Sequence, residues 1–458
     1  MRPCDPGPSR RRTLLSAALL ATAVVTPAGA ARAATGSGGR PRLTVPGAER
    51  QLISRHDDLT TSALTGTPYT DATDWAGLAA SGTRNPSGVP GVQIDGCFPD
   101  SSRLNTLHGW NHDAQFVIRL PEHWNGALVV TGAPGVRRQY AMDTLVSDWV
   151  LAQGYAFAAT DKGNSGPDFY TDTDLPGDAL VEWNRRTTQL TRAAREVVAQ
   201  HYGRAPRRTY MTGISNSGYL TRWQLENHPE LYDGGVDWEG PLWRPDGPNL
   251  LTFLPTAVAR QLGRADDEDM YAAGFARGSE FLWPYHEKVY WGLTQKTYRA
   301  AFDPGYDPAC PGASAGTTLG EILAPCPSDA AYDYAARPRP VHDAVARISL
   351  TGRIGKPLIT LHGTLDALLP ITVQSDVYAQ MIAEQGRSAL HRYYRIEGGT
   401  HVDSLYDTYP DRLRPILPCY RAAFGALTAW VERGQEPPVS GTVPRPTSGD
   451  LVNTGSLT

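Results

Sequence analysis

The feature that most constrains the fold is the stretch from Arg207 to His228, where a strand pattern changes into a helix pattern. Residues 209–212 form a short β-rich run, and apolar residues recur at helical spacing from Tyr219 onward. Between the two, Gly213 and Ser215 stand in a tight turn of small residues. A strand that turns sharply into a helix at Gly-x-Ser is the context of a nucleophile elbow, in which the serine hydroxyl is held clear of a sheet.

Short buried strands alternate with helices on both sides of this stretch. Further strands are predicted at residues 114–121, 127–131, 155–160, 234–239, 356–362 and 392–396, with one or two more between 43 and 113. Further helices are predicted at residues 141–153, 178–203, 373–385 and 411–433. This rhythm predicts an α/β fold with a mostly parallel sheet that is covered by helices on both faces.

The first 33 residues have the pattern of an export signal. Three arginines at residues 10–12 precede an apolar run at residues 13–25, and small residues near Ala30 and Ala33 offer two cleavage sites. The arginine-rich start resembles a twin-arginine signal, with secretion of the unfolded chain as the alternative. We therefore expect a secreted bacterial protein, in which residues 34–42 form a disordered lead-in.

The charge of the remaining chain disfavours two classes of partner. Without residues 1–33 the chain has 38 basic and 46 acidic side chains, a net charge of −8. This balance argues against nucleic acid or an anionic membrane as the main partner. No other run is apolar enough over the length of a membrane span, so none is expected. The sequence leaves the oligomeric state open.

Residues 43–433 predict one catalytic domain with an insertion. The insertion, at about residues 249–354, holds several helical stretches and many aromatic residues, which predicts a helical cap over the sheet edge. Most of these aromatic residues are expected to form a satellite core, and a few to line a substrate pocket. The pocket candidates are Trp238, Trp243, Phe281 and Trp283. Residues 434–458 are rich in Pro, Ser, Thr and Gly and predict a disordered tail.

Four cysteines follow the export signal, an even number that permits two disulfides in a secreted protein. Cys310 and Cys326 flank a Gly-, Ala- and Pro-rich loop and form the favoured pair. A bridge between Cys97 and Cys419 follows only by elimination. No C-x-x-C pair is present, and we expect neither a metal site nor a cofactor.

Three residues occur in the chain order serine, aspartate, histidine, each just past a predicted strand. Ser215 follows the strand of the elbow, Asp366 the strand at 356–362, and His401 the strand at 392–396. The carboxyl ends of parallel strands meet at one edge of a sheet, where the sites of such sheets lie. Serine needs an adjacent base that is oriented by a third group, so we predict Ser215 as nucleophile, His401 as base and Asp366 as acid.

Backbone N–H groups near the elbow are candidates for binding an oxyanion. The helix that begins behind the serine offers the N–H of Asn216. The loop from residue 132 to 136 offers a second donor, from Ala133, Gly135 or Val136, whereas the proline at 134 has no N–H.

Other residues compete for the predicted catalytic roles. Ser217 is the rival nucleophile, although it lacks a glycine two positions before it. Asp237 and Glu239, after the strand that follows the elbow, are rival acids, with Asp403 as a further alternative.

These motifs together resemble the α/β-hydrolase superfamily over most of residues 114–433. They are the elbow, the Gly-Ala-Pro-Gly loop at 132–135, His-Gly-Thr-Leu-Asp at 362–366 and Gly-Gly-Thr-His at 398–401. Residues 116–126 and the export signal resemble secreted bacterial esterases grouped with tannases and feruloyl esterases. The resemblance implies the α/β-hydrolase fold and ester hydrolysis. Members of that group typically join cysteines next to the serine and the histidine in a disulfide, whereas Ile214 and Val402 occupy these positions here.

Three functions follow from the sequence as hypotheses. The first is a secreted carboxylic ester hydrolase that cleaves a small or oligomeric ester through an acyl-enzyme. The second is a secreted peptidase or amidase with the same three residues, which an acidic cluster of Asp161, Asp237 and Glu239 near the site would favour. The third is an inactive hydrolase fold used for binding, against which the intact serine, aspartate and histidine count.

Overall fold

The structure is a computed structural model that describes residues 43–65, 70, 72–100, 114–164, 169, 175–310, 312–313 and 318–458. The expected export signal at residues 1–33 and the expected lead-in at 34–42 lie outside the described residues.

Ten strands form one sheet. They are β1 (Arg50–His56), β2 (Gly91–Cys97), β3 (Gln115–Pro121), β4 (Ala127–Gly132), β5 (Ala156–Thr160), β6 (Arg208–Ile214), β7 (Gly234–Trp238), β8 (Leu358–Gly363), β9 (His391–Ile396) and β10 (Gly441–Val443). Each strand predicted after residue 114 is present within two residues of its predicted ends, and β1 and β2 are the two expected before it.

Within the described residues, twelve α-helices surround the sheet. They are α1 (Thr61–Leu64), α2 (Asp148–Ala152), α3 (Asp178–Tyr202), α4 (Asn216–Asn227), α5 (Leu250–Gln261), α6 (Asp267–Ala272), α7 (Trp283–Val289), α8 (Trp291–Phe302), α9 (Leu319–Leu323), α10 (Arg339–Ala346), α11 (Ser375–Glu384) and α12 (Leu417–Arg433). Glycines end α3 and α12, where Gly203 and Gly434 adopt a left-handed conformation that other residues rarely take.

The strand order is β1-β2-β3-β5-β4-β6-β7-β8-β9-β10. The pairs from β1 to β5 are antiparallel, and every neighbouring pair from β5 to β10 is parallel. The parallel strands β4 to β8 are buried except for Arg208 at the start of β6, because helices cover both faces of the sheet. The predicted fold class, an α/β-hydrolase fold with a mostly parallel sheet, is confirmed.

The elbow helix and the closing helix cover opposite faces of the central strands. Gly235 approaches Thr221 in α4, whereas the hydroxyl of Thr212 lies 2.9 Å from that of Tyr420 in α12. Because side chains alternate along a strand, the two helices hold the sheet between them. α12 begins at Leu417, six residues after its predicted start, where the Asp403 carboxylate accepts the first backbone N–H groups of the helix.

The insertion forms the predicted helical cap, with α5 to α10 between β7 and β8. Asn249 caps α5, since its side chain accepts a backbone N–H from the first turn. The disulfide between Cys310 and Cys326 is confirmed. Two hydrogen bonds join the cap to the residues that follow Ser215 and Asp366, from Tyr298 to Asn216 and from Trp291 to Ala367.

The predicted disulfide between Cys97 and Cys419 is wrong. Cys419 is a free, buried thiol that accepts a hydrogen bond from Arg414 at 3.0 Å. The reason is position: Cys97 ends β2, whereas Cys419 lies in α12, which packs on β7 and β8, several strands away. Bridged cysteines need Cα atoms within about 7 Å of each other.

The prediction of a disordered tail is also wrong. Residues 441–443 form β10, which pairs in parallel with β9 and covers that edge of the sheet. Arg445 donates hydrogen bonds to the carbonyl groups of Pro410 and Leu413, and the side chains of Val443 and Leu457 are buried. An open sheet edge offers unpaired backbone groups, and the tail uses them despite its composition. Among the described residues, no helix is long and apolar enough to cross a membrane.

Candidate active site

The elbow brings Ser215 to the end of β6 in a strained backbone conformation. Its φ is 57° and its ψ is −127°, a region that residues other than glycine rarely occupy. The turn is possible because small residues surround it. A Cβ at Gly213 would lie 1.8 Å from the Oγ of Ser217, and one at Gly218 would lie 2.6 Å from Asp237. The serine is partly exposed, whereas its neighbours in the turn are buried.

Ser217, the rival nucleophile, has a structural place. Its Oγ accepts the N–H of Gly132 at 3.0 Å and lies 3.0 Å from the hydroxyl of Thr131. The side chain is fully buried and joins the start of α4 to the end of β4. The hydroxyl of Ser217 therefore points into the sheet rather than toward a substrate.

The structure brings the three predicted residues into hydrogen-bond contact. The Nε2 of His401 lies 3.0 Å from the Oγ of Ser215, and its Nδ1 lies 2.8 Å from the Oδ2 of Asp366. The aspartate and the histidine are buried, so water weakens their interaction little. This geometry allows the imidazole to accept the serine proton while the carboxylate fixes its tautomer.

Asp366 is held as a carboxylate by its surroundings. Its Oδ1 accepts the backbone N–H groups of Leu368 and Leu369, each at 2.8 Å. Burial alone would raise the pKa of Asp366, but the charge of His401 and hydrogen bonds from His362 and His401 lower this pKa below its ordinary value. His362 lies 3.4 Å from Asp366 and is itself fixed by the carbonyl group of Leu369 at 2.8 Å.

One of the predicted oxyanion donors is wrong. The N–H of Ala133 donates to the carbonyl of Thr160 at 2.9 Å, so it extends the pairing of β4 with β5 and is already used. Gly135 adopts a left-handed φ of 52°. Neither its N–H nor that of Asn216 donates a hydrogen bond within the described part of the chain. Asn216 and Gly135 therefore stay the predicted donors, with Val136 as the alternative.

Side-chain hydrogen bonds hold the loop at residues 132–136, and two of the side chains involved, Lys162 and Tyr298, were not singled out from the sequence. The carbonyl of Gly135 accepts the Nζ of Lys162 at 2.7 Å and the side-chain amide of Asn216 at 3.2 Å. The other end of that amide accepts the hydroxyl of Tyr298, in the cap helix α8, at 2.7 Å. Burial lowers the pKa of Lys162 to about 7, against the effect of Asp161. No signal in the sequence links the loop at 132–136 to a tyrosine of the insertion.

The rival acids have other partners or other positions. Asp237 forms a fully buried ion pair with Arg222 at 2.6 Å, and Asp403 caps α12 as described above. Asp161 accepts the backbone N–H groups of residues 115 and 163. Glu239 does lie beside His401, at 3.6 Å from its Nδ1, which is farther than Asp366. The acids Asp161, Asp237 and Glu239 therefore do not form a shared cluster for a substrate amine, which removes the feature that would favour a peptidase.

The four predicted pocket aromatics occupy different environments. Trp238 is buried against Tyr420 of α12 at 5.7 Å between ring centroids. Trp283 is also buried, inside the cap, and these two are wrong as pocket residues because they offer no surface to a ligand. Trp243 is fully buried behind Tyr298, with 5.2 Å between ring centroids, and is wrong as a pocket residue for the same reason. Phe281 is partly exposed and stays a pocket prediction.

A second histidine, His286 in α7, reaches the candidate site from the cap. Its ring is fully buried and stacks on Trp291, with 6.0 Å between centroids. Trp291 in turn donates its indole N–H to the carbonyl of Ala367, next to the predicted acid, at 2.8 Å. Burial lowers the pKa of His286 to about 3, Asp366 opposes this shift, and His401 adds to it. Neither ring nitrogen of His286 has a hydrogen-bond partner among the described residues.

Two groups of side chains in the described residues bring potential metal ligands within 4.8 Å of one another. In the first group Cys310 and Cys326 are joined in a disulfide, which removes both thiolates as ligands. The second group is Glu239, Asp366 and His401. Both nitrogens of that histidine already contact the serine and the aspartate, so the residues present fit a proton relay better than a metal ion.

Two family profiles match different parts of the chain. That of the tannase and feruloyl esterase family matches residues 104–238, which include Ser215. That of the 3HB-oligomer hydrolases matches residues 316–455, which include Asp366 and His401. The predicted resemblance to the tannase and feruloyl esterase group is thus confirmed for the first range. The matches support an esterase-type hydrolase, in agreement with the predicted class of carboxylic ester hydrolase.

Curated relatives match over short segments. The chain is 28% identical over 145 residues to a mono(2-hydroxyethyl) terephthalate hydrolase of Piscinibacter sakaiensis, covering 28% of this chain and 24% of that protein. It is 33% identical over 100 residues to a D-(-)-3-hydroxybutyrate oligomer hydrolase of Azoarcus sp. (strain BH72), covering 20% of this chain and 14% of that protein. The chain thus spans a quarter or less of the length of these relatives.

Solved structures match over most of the chain at low identity. Feruloyl esterase B from Aspergillus oryzae is 16% identical, with a TM-score of 0.45, over 84% of this chain and 88% of that one. The esterase LipA from Xanthomonas oryzae is 14% identical, with a TM-score of 0.46, over 82% of this chain and 97% of that one.

Proposed function

We propose that this chain is a serine carboxylic ester hydrolase in which Ser215, His401 and Asp366 form a catalytic triad. The observation that carries the proposal is the pair of contacts made by His401, at 3.0 Å to the serine hydroxyl and 2.8 Å to the aspartate. The elbow geometry of Ser215 and the two family matches support it independently.

The reaction would proceed in two halves. Ser215 attacks the ester carbonyl as its proton passes to the Nε2 of His401, and Asp366 stabilises the imidazolium. The tetrahedral oxyanion is held by the N–H of Asn216 and one N–H of the loop at 132–136. The imidazolium then gives its proton to the leaving alcohol, which leaves an acyl-enzyme on the serine. Water repeats the sequence, and His401 returns the proton to the serine as the carboxylic acid is released.

The substrate is proposed as a small or oligomeric carboxylic ester. The candidate for binding a polar group of that substrate is His286, whose two ring nitrogens have no hydrogen-bond partner among the described residues. Its ring is neutral and fully buried, so the cap would have to move for a substrate to reach it. A buried polar atom without a partner is costly, and a substrate oxygen in hydrogen-bond contact with it would remove that cost. The names of the matched relatives supply the esters to be tested first.

The test is a panel of substrates with purified protein. It contains p-nitrophenyl acyl esters, feruloyl esters, mono(2-hydroxyethyl) terephthalate, 3-hydroxybutyrate oligomers and aminoacyl anilides. We expect esters to be hydrolysed, S215A to lose at least about 10,000-fold in kcat, and S217A to lose less than about tenfold. A phosphonate inhibitor should label Ser215, as read by mass spectrometry of the digested protein. Faster turnover of the anilides would favour the peptidase, and an active S215A variant would refute the triad.

Export is a further part of the proposal. Its support is the arginine-rich start, the apolar run and the small-residue cleavage sites within residues 1–33. Expression of the full chain in a bacterial host, followed by mass spectrometry of the secreted protein, should find a mature N-terminus after Ala30 or Ala33. Replacement of Arg10 and Arg11 by lysine should block export if the twin-arginine route is used. Retention of the uncleaved chain in the cytoplasm would contradict export.

A further inference from the structure

Glu239 occupies an unusual place at the end of β7. It is one of three described residues other than glycine with a positive φ, here 53°, and its side chain is fully buried. Its N–H donates to the carbonyl of Leu361 at 2.9 Å, and its Oε1 accepts the N–H of Gly363 at 2.7 Å. Backbone strain of this kind persists where the surroundings impose it, and it concentrates at functional sites. The side chain thus ties β7 to the start of the loop that carries Asp366.

The other oxygen of Glu239 faces the triad. Its Oε2 lies 3.6 Å from the Nδ1 of His401. The same nitrogen lies 2.8 Å from the Oδ2 of Asp366. Glu239, Asp366 and His401 each have one side-chain oxygen or nitrogen atom that lies within 4.8 Å of the other two. Among the described residues, Oε2 has no hydrogen bond of ordinary geometry. A second carboxyl group therefore lies beside the imidazole nitrogen that contacts Asp366.

The surroundings favour the neutral form of this carboxyl group. Burial, followed by the negative charge of Asp366, raises the pKa of Glu239 well above its ordinary value. The charge of Asp403 acts in the same direction, and hydrogen bonds from Gly363 and Trp238 oppose it. His401 faces it from the loop after β9, at the 3.6 Å given above. Two carboxyl groups so close to one another cannot both be charged without cost, and Asp366 has the better hydrogen bonds to keep its charge.

We propose that Glu239 is a reserve acid for His401. It holds a proton beside the His401–Asp366 pair in the native enzyme, and it replaces Asp366 as the positioning carboxylate when that side chain is removed. In that event the Glu239 proton leaves to solvent, and Oε2 accepts the Nδ1 proton of His401. The proposal rests on the triad proposed above and adds a fourth residue to it. Glu239 acts only through His401, so it is a positioning residue.

The distance is compatible with this role. Oε2 would have to approach Nδ1 from 3.6 Å to a distance like the 2.8 Å of the present acid, a movement of less than 1 Å. Removal of the Asp366 side chain would open the space for it and would also remove the largest charge that opposes ionisation of Glu239. The Gly363 N–H would continue to hold Oε1 in place.

The activity test uses S215A, D366A, E239Q and D366A/E239Q on one p-nitrophenyl ester. A triad with a single acid loses about 10,000-fold in kcat when that acid is removed. With a reserve acid, D366A should lose about 10- to 100-fold, and D366A/E239Q should fall to the level of S215A. E239Q alone should lose less than about tenfold, because glutamine keeps the acceptor for Gly363. D366S, whose short side chain leaves the space open and keeps an oxygen near the loop N–H groups, serves if D366A does not fold.

The pH profile separates positioning from a merely structural role. In D366A, kcat/KM should fall more steeply on the acid side than in the wild type, because the ionisation of Glu239 is then required in addition to that of His401. If D366A has a kcat as low as that of S215A, or if D366A/E239Q has the same kcat as D366A, the role of Glu239 as reserve acid is overturned. Either result would leave the proposed triad intact. An active S215A would instead refute the triad itself.

Protonation of Glu239 can also be measured without activity. A group whose pKa is raised on folding binds its proton more tightly in the native state, so its contribution to stability falls as pH rises from the unfolded value toward the folded one. Between pH 5 and 8, the folding equilibrium constant of the wild type should therefore decline relative to that of E239Q, by up to about tenfold per pH unit. A ratio that does not change with pH would show that Glu239 is already charged and would overturn the proposal.

Discussion

The packing of the elbow makes Gly213 a position where a single added methyl group should be costly. An alanine there would place its Cβ 1.8 Å from the Oγ and 2.3 Å from the Cβ of Ser217. Carbon atoms in contact lie about 3.5–4.0 Å apart, so the Ser217 side chain must move by well over an ångström. That movement would break the 3.0 Å hydrogen bond from the Gly132 N–H, which ties α4 to β4.

The expected cost follows from these two effects. Overpacking of a rigid core costs about 1–3 kcal/mol, and the lost hydrogen bond adds about 1 kcal/mol. We therefore expect G213A to lower the free energy of unfolding by about 2–4 kcal/mol. S217G alone should cost about 2 kcal/mol, from helix propensity and the same hydrogen bond. In G213A/S217G both side-chain clashes disappear and only the tight 3.0 Å contact with the backbone carbon of residue 217 remains, so the double variant should lose about 1–3 kcal/mol less than the sum of the two single variants.

The measurement is urea unfolding followed by circular dichroism, with ester hydrolysis as a second readout. G425A is the matched control, since Gly425 lies in α12 and a methyl group added there would meet nothing within 4 Å, and it should gain about 0.5–1 kcal/mol. Strictly additive costs of G213A and S217G would refute the reasoning, because they would show that the two side chains do not compete for the same space. A G213A variant with an unchanged free energy of unfolding would refute the reasoning more directly.

Other expectations concern the tail, the disulfide and the cap. Deletion of residues 435–458 should lower the free energy of unfolding by at least about 2 kcal/mol, because it removes the buried Val443 and exposes the edge of β9; thermal unfolding without change would contradict this. C310S/C326S should lose about 3 kcal/mol by urea unfolding, the value for a closed loop of about 15 residues, and an equal stability would mean that the loop is held by other contacts. H286F should raise KM about tenfold or more with a smaller change in kcat, since one hydrogen bond is worth about 1 kcal/mol and more when it is buried; an unchanged KM would remove His286 from the pocket.

The sequence was sufficient for the sheet and the three central residues for a physical reason. Buried parallel strands require continuous apolar runs, and glycine is required where the backbones of β6 and α4 meet, so both features are visible locally. The order of Ser215, Asp366 and His401 then follows from the strands that precede them. The Cys310–Cys326 disulfide was similarly local, because both cysteines flank one loop.

The errors arose where a distant segment decides the outcome. The tail has the composition of a linker, but the free edge of β9 offers it a hydrogen-bonding partner that no local pattern reveals. The sequence offered Ala133 as an oxyanion donor, but its N–H donates to the carbonyl of Thr160 where β4 pairs with β5. Cys419 was paired by elimination, and only the placement of α12 shows that its thiol meets Arg414 instead.

The insertion contacts both parts of the candidate site, the turn that carries Ser215 and the loop that carries Asp366. Tyr298 of α8 donates its hydroxyl to the side chain of Asn216, directly after the nucleophile. Trp291, at the start of the same helix, donates to the carbonyl of Ala367, directly after the acid. A displacement of α8 would therefore disturb the oxyanion loop and the acid loop together, even though neither cap residue is expected to take part in the chemistry. Under the proposed mechanism the cap therefore supports the geometry of the triad, and substitutions deep within it are expected to change kcat as well as KM.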